Sequence, residues 1–275
     1  MIEVNGATFS YSEQGEPALR DVHLRIDAGE TVAIIGHNGS GKSTLMKVLA
    51  AILTPASGMV TVDGLRTDAG GEALWTIRQR VGIVFQNPDD QLVANSVIDE
   101  IAFGPENLGL PRFEIAERVQ EAMELLELQP HAQMAVSDLA LGQKQRLAVA
   151  GVLAMRPRYL LLDEPTTMIS GRVARQLLSV VRRLASERGI AVIHITHFMH
   201  EVVDFQRVIV MDAGRVLMDD TPAAVFARVA ELRAVGLDVP LATALGQRLR
   251  ARGWSGMPEV VLSSDELKAG LCSSN

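Results

Sequence analysis

Gly36-His37-Asn38-Gly39-Ser40-Gly41-Lys42-Ser43-Thr44 is the stretch that decides the fold. It fits G-x-x-x-x-G-K-[ST], the phosphate-binding loop. The apolar run Thr31-Val32-Ala33-Ile34-Ile35 before it reads as a buried strand. After it, Leu45, Met46, Val48, Leu49 and Ile52 are spaced as a helix packed on a core. That strand-loop-helix context gives the motif its meaning. The glycines let the backbone curl so that successive N–H groups converge on a polyphosphate. The helix N-terminus adds partial positive charge there. Lys42 would reach the β- and γ-phosphates, and the Ser43 hydroxyl would ligate Mg²⁺.

Working outward, the 275 residues are 48% hydrophobic and 21% charged, enough for one sizeable core and a small extra domain. The net charge of −7 argues against a nucleic-acid partner, which favours a basic face. A single cysteine, Cys272, rules out an intrachain disulfide and suits a reducing compartment. Met1 leads directly into a strand-like segment with no basic-then-apolar signal. No apolar run approaches the roughly 18 residues of a membrane span. The expectation is a soluble or peripheral protein.

Residues 1–35 read as strands and turns, with Val22, Leu24 and Ile26 alternating with polar residues. Val60–Gly64 and Val81–Phe85 read as further strands. From Ser96 to Leu128 the pattern is helical, and Gly104-Pro105 and Gly109-Leu110-Pro111 are expected to break it. A second helix runs from about Gly142 to Met155. Tyr159–Glu164 and Ile190–His197 read as buried strands. Val208–Met211 and Arg215–Met218 flank Asp212-Ala213-Gly214 as a hairpin. After Asp220 the chain turns helical: Thr221-Pro222 is a helix start, Gly253 stops a second helix, and Ser263–Glu266 fits a capping box for a third. The domain expectation is 1–220 with a helical subdomain near 95–155, followed by an extension over 221–275.

A phosphate loop needs an acid to hold Mg²⁺ and a base to orient water. Asp163 ends an apolar strand, as the acid of the second nucleotide motif does. Glu164 follows at once and is the expected general base for the water that attacks the γ-phosphate. His194, His197 and His200, with Glu201 nearby, suggest a rival metal site. Strand alternation, however, points His194 and His197 to opposite faces.

The order of these motifs resembles an ATP-binding-cassette (ABC) ATPase. It runs from the phosphate loop through Phe85-Gln86, a helical insert, Gly142-Gln143-Lys144-Gln145-Arg146 and Leu162-Asp163-Glu164-Pro165-Thr166 to Ile195-Thr196-His197. The resemblance covers about residues 2–218. Phe85–Gln91 and the C-terminal extension are similar to a narrower group, the ATPase subunits of energy-coupling factor (ECF) transporters, which import vitamins and transition-metal ions. The resemblance implies an α/β fold with a mainly parallel sheet, an antiparallel β edge, a helical subdomain and a small helical C-terminal domain. It implies ATP and Mg²⁺ as cofactors. Tyr11 would stack on adenine, or would simply be a strand-face aromatic. Gln86 would ligate Mg²⁺ beside Ser43 and Asp163 and sense a membrane subunit. The acidic stretch after Gln86 is either a coupling surface or a solvated loop. His197 would contact the γ-phosphate and hold the water. Gly142 and Gln143 would reach a nucleotide held by a partner ATPase. Partners would be that second ATPase, a transmembrane coupling subunit and a substrate-binding membrane subunit, at the cytoplasmic side of the cell membrane.

Two departures stand out. The family signature Leu-Ser-Gly-Gly-Gln is here Leu139-Ala140-Leu141-Gly142-Gln143. Ala140 cannot donate a hydroxyl hydrogen bond to phosphate. Such a bond to a charged group is worth roughly 1.5–3 kcal/mol, or about ten- to hundredfold in rate if made only in the transition state. Leu141 replaces a glycine that permits close approach. After Glu164, the expected Ser-Met-Leu-Asp is Thr167-Met168-Ile169-Ser170. Both departures face the partner, while Lys42, Ser43, Gln86, Asp163, Glu164 and His197 are intact. The reading is an asymmetric heterodimer; the opposing one is that the substitutions are tolerated. Rival functions are a non-hydrolysing partner subunit, a soluble ABC ATPase of repair or translation, and a small-molecule kinase.

Overall fold

The structure, a computed structural model, describes residues 1–254 and 256–272. Strands β1 (Ile2–Phe9) and β2 (Leu19–Ile26) come first, each alternating buried and exposed positions over much of its length. β3 (Thr31–Ile35) runs into the phosphate loop and α1 (Lys42–Leu49) leaves it. The helix stops at Leu49 because Ala51 turns left-handed (φ 53°), so Ile52 lies beyond it, 47% exposed, rather than on its core face. Then come β4 (Ser57–Val62), β5 (Leu65–Arg66), α2 (Gly71–Arg80) and β6 (Val81–Val84). The helical subdomain holds α3 (Val97–Asn107), α4 (Arg112–Leu125) and α5 (Leu141–Ala154). The chain continues through β7 (Tyr159–Asp163), α6 (Gly171–Arg188), β8 (Ala191–Ile195), α7 (Met199–Val202), β9 (Arg207–Asp212) and β10 (Arg215–Asp220). It ends in α8 (Pro222–Ala227), α9 (Val229–Ala234), α10 (Leu241–Ala251) and α11 (Ser264–Cys272).

Gly104-Pro105 does not break α3. Proline costs most in a helix interior, and Pro105 sits in the last turn, inside the helix. Gly104 earns its place by packing: a Cβ there would lie 2.6 Å from Met155 Cγ. The break comes instead at Gly109, at φ +69°. The strand expected to reach His197 stops at Ile195, which leaves Thr196 and His197 in the turn beyond. The expected helix caps are present. Thr221 Oγ1 accepts from Ala224 N–H at 3.3 Å, and Ser263 Oγ accepts from Glu266 N–H at 3.1 Å.

Six strands form one sheet in the order β10-β9-β3-β8-β7-β6, parallel except for β10. A second, antiparallel sheet has the order β2-β1-β4-β5. The parallel strands are buried on both faces, which explains their unbroken apolar runs. Side chains alternate between two cores. Val32, Ile34, Leu161, Ile193 and Ile209 face α1 and the antiparallel sheet. Ala33, Ile35, Leu162, Val192 and Val208 face the helical subdomain and α6. Val225, Phe226 and Leu232 of α8 and α9 join this second core. With β3 beside β8 and β8 beside β7, three strand C-termini open on the same edge, where ligands bind in open parallel sheets.

Candidate nucleotide site

The loop after β3 is held open by backbone geometry. Gly41 has φ +100°, and a Cβ there would lie 2.5 Å from Ala18 O. Gly36 leaves equally little room, 2.4 Å from Met211 O. The β9–β10 turn braces the loop from outside: Gly214 N–H donates to Ser40 O at 3.0 Å. His37 faces that turn, with Nε2 2.8 Å from Asp212 Oδ1 and Nδ1 2.7 Å from Asn38 O. Both ring nitrogens meet acceptors, so the ring holds its proton above the usual histidine value, chiefly through Asn38 and then Asp212.

A cavity of about 720 Å³ lies in front of the loop. Asn38, Gly39, Gly41, Lys42, Ser43 and Thr44 line it from one side, and Gln86, Glu164 and His197 from the other. Tyr11 lines the rim; it is 64% exposed, and its hydroxyl lies 3.1 Å from Thr44 Oγ1. Gly36, His37 and Ser40 are not among the residues that line the cavity. Lys42 Nζ donates to Gly36 O at 2.9 Å and His37 O at 3.0 Å. Burial pushes its ammonium below the ordinary lysine value, opposed by the charges of Glu164 and Asp163.

Asp163, at the end of β7, accepts from Ser43 Oγ at 3.0 Å. Burial raises its carboxyl; the Ser43 hydrogen bond opposes this, and the neighbouring Glu164 charge adds to it. Glu164 adopts φ +49°, a backbone region that side chains rarely enter. That turn aims its carboxylate into the cavity. Oε2 accepts from Thr167 Oγ1 at 3.2 Å and Gln86 Nε2 at 3.3 Å, and lies 3.4 Å from His197 Nδ1. The two histidines part company because β8 ends at Ile195 and His197 lies in the turn beyond it. His194 is buried against Glu201, and His197 lines the cavity.

Gly142 and Gln143 lie elsewhere. With Ala140, Met168, Ile169 and Ser170 they line a separate recess of about 390 Å³. Ala140 is the N-cap of α5 without a side-chain cap. Instead, Gln143 Oε1 accepts from Ala140 N–H at 2.8 Å, and Gln143 Nε2 lies 2.9 Å from His131 Nε2. The acidic stretch after Gln86 is tied down: Asn87 caps a short turn, and Asp89 pairs with Lys144 of α5 at 2.7 Å.

Three residues have contacts that the local sequence does not signal. Thr167 belongs to a motif, but nothing in it announces the hydrogen bond to Glu164. Asp212 sits in a turn, and its contact with His37 has no local signal. The spacing of Glu201 suggests a metal ligand, whereas its carboxylate is engaged by His194, Thr196 and Thr166.

The ABC transporter family profile matches residues 19–167. The ECF transporter ATP-binding protein EcfA1 of Caldanaerobacter subterraneus subsp. tengcongensis is 45% identical over 275 residues, 99% of each chain. The structure of cbiO1 from Clostridium perfringens, described as part of the ABC transporter complex cbiONQ, superposes with a TM-score of 0.76. It is 34% identical, over 92% of this chain and 96% of that one. A dimeric ATP-binding cassette, MJ0796, in a post-hydrolysis state with ADP and Pi, gives 0.74 at 28% identity over 81% of this chain and 99% of that one. With a nucleotide cavity built at the strand ends and relatives alike along nearly its whole length, this chain is an ABC ATPase and belongs to the ATP-binding proteins of ECF-type transporters.

Proposed function

We propose that this chain binds and hydrolyses ATP within an ECF-type importer and works opposite a second, non-identical ATPase subunit. The observation that carries this reading is the separation of two regions. Lys42, Ser43, Gln86, Glu164 and His197 share one cavity, while the altered residues Ala140 and Ser170 share another recess. The first serves the chain's own nucleotide. The second would serve a nucleotide held by the partner.

Mg²⁺ suits the donors present. Ser43 Oγ, the buried Asp163 carboxylate and the Gln86 amide are hard oxygen ligands, and burial leaves Asp163 in want of a compensating charge. Bound there, the ion would neutralise charge on the β- and γ-phosphates. Lys42 would exchange its two carbonyl partners for phosphate oxygens. Glu164 would accept the proton of the attacking water, and His197 would keep that water in line. Closing and reopening of the two cassettes would drive the membrane subunits, which carry the vitamin or metal-ion specificity. The chain would sit on the cytoplasmic face of the membrane through these partners, with 221–275 contributing to pairing. Among the described residues no helix is long and apolar enough to cross a membrane.

The test is ATP turnover by the purified chain across a range of protein concentrations. Binding without turnover alone, and turnover once a second ATPase with an intact signature is added, is the expected result. Turnover that rises with concentration and vanishes in Glu164→Gln would mean that a homodimer suffices.

A further inference from the structure

Away from the nucleotide cavity, polar side chains converge where the exits of β7 and β8 meet. Glu201 of α7 is 6% exposed. Three groups reach its Oε2: Thr196 Oγ1 at 2.7 Å, Thr166 Oγ1 at 3.0 Å and His194 Nε2 at 3.1 Å. All three residues are buried. A carboxylate removed from water is tolerated only when its acceptor sites are filled, and here one oxygen gathers every donor. His194 is stacked on Phe205, with ring centroids 5.5 Å apart and planes 13° from parallel. Its Nδ1 has no partner among the described residues. The tautomer that satisfies the site therefore carries its proton on Nε2, which donates to Glu201.

The donors come from the two segments that carry the chemistry. Thr166 follows Glu164 by two residues. Thr196 immediately precedes His197, and its Oγ1 also accepts from Phe198 N–H at 3.0 Å. Glu164 N–H donates to Ile195 O at 3.1 Å, so the two segments already touch through backbone. That bond continues the pairing of β7 with β8, which ends at Asp163 and Ile195, so beyond it the sheet no longer ties the two segments together. The carboxylate of Glu201 adds a second point of attachment on each side.

We propose that Glu201 is a positioning residue for ATP hydrolysis, clamping the Glu164 segment to the His197 segment and so setting the distance between the base and the histidine. Glu201 does not line the nucleotide cavity. The inference rests on the roles given above to Glu164 and His197.

Thr166 offers the sharpest test, because hydroxyl and packing can be separated. Thr166→Val keeps the shape and loses the donor; Thr166→Ser keeps the donor and loses a methyl. Turnover is measured on the full chain in the assembly that hydrolyses ATP, with wild type and Glu164→Gln as controls. Thr166→Val should lower kcat about tenfold, the scale of one hydrogen bond to a charged group, with KM for ATP within about twofold of wild type. Thr166→Ser should stay near wild type. Glu201→Gln should lower kcat in the same way; if it does not fold, the Thr166 pair decides. A Val variant as active as wild type, a Ser variant as impaired as Val, or a rise in KM at constant kcat overturns the inference and leaves the ATPase reading standing. A wild-type chain with no turnover in any assembly overturns both.

Discussion

His197 Nδ1 and Glu164 Oε2 lie 3.4 Å apart, although they leave the ends of two different strands. The contact depends on the left-handed backbone at Glu164, φ +49°, since an extended residue there would carry its side chain along the strand's own alternation. A non-glycine residue in this region costs on the order of 1–3 kcal/mol and is retained where the surroundings impose it. Glu164→Gln preserves shape and removes the base. It should lower turnover about 10²- to 10⁴-fold while ATP still binds, as read by steady-state rates beside a nucleotide titration. Equal loss of binding would place Glu164 in nucleotide affinity rather than in proton transfer.

Gly41→Ala probes the loop itself. The new Cβ would come within 2.5 Å of Ala18 O at a φ of +100°. Either the loop or the start of β2 must then move. The strain is of order 1–3 kcal/mol, and ATP affinity should fall at least about tenfold, because the loop N–H groups no longer converge. A titration with a fluorescent nucleotide would measure this, with circular dichroism confirming that the sheet is intact.

The His37–Asp212 contact predicts a pH dependence. Hydrogen bonds to Asn38 O and Asp212 raise the folded-state pKa of His37 above its unfolded value. The stabilisation is therefore complete below the unfolded pKa, about 6.5, and is lost as pH rises through the folded value. The ring is 42% exposed, so screening limits the gain to about 0.5 kcal/mol. Thermal melts should show wild type gaining on Asp212→Asn as pH falls from 8 to 6. Parallel curves would mean that the pair adds nothing.

How far the sequence carries can be judged from these residues. The phosphate loop, Asp163, Glu164 and the parallel strands announce themselves because each requirement is local: a glycine where φ is positive, an acid at the end of an apolar run. Asp212, Thr166 and Glu201 do not, because their partners are brought to them by the order of strands in the sheet. Pro105 misled for a related reason. Proline punctuates helices on average, but its cost depends on position and is greatest in a helix interior, whereas Pro105 sits in the last turn of α3. Ala140 and Ser170 were legible only as departures from a pattern; their meeting in one recess was a matter of the fold.

Ala140 carries the last prediction. It holds the extended backbone of an N-cap, φ −64° and ψ 153°, with no oxygen to offer. Ala140→Ser supplies that oxygen, and N-caps of this kind are worth about 1 kcal/mol, or roughly 2–4 °C in a protein of this size. The same hydroxyl faces the recess where a partner's γ-phosphate would lie. Capping alone would raise the melting temperature and leave turnover unchanged. A hydroxyl that also reaches phosphate would raise turnover about ten- to hundredfold at the site completed by this chain, more so with Leu141→Gly. Measuring melting and turnover on the same variant separates the two effects. The mixed assembly with Glu164→Gln in this chain isolates the site in question, since only the partner's nucleotide can then turn over. If turnover there is already fast with Ala140 in place, the asymmetry falls.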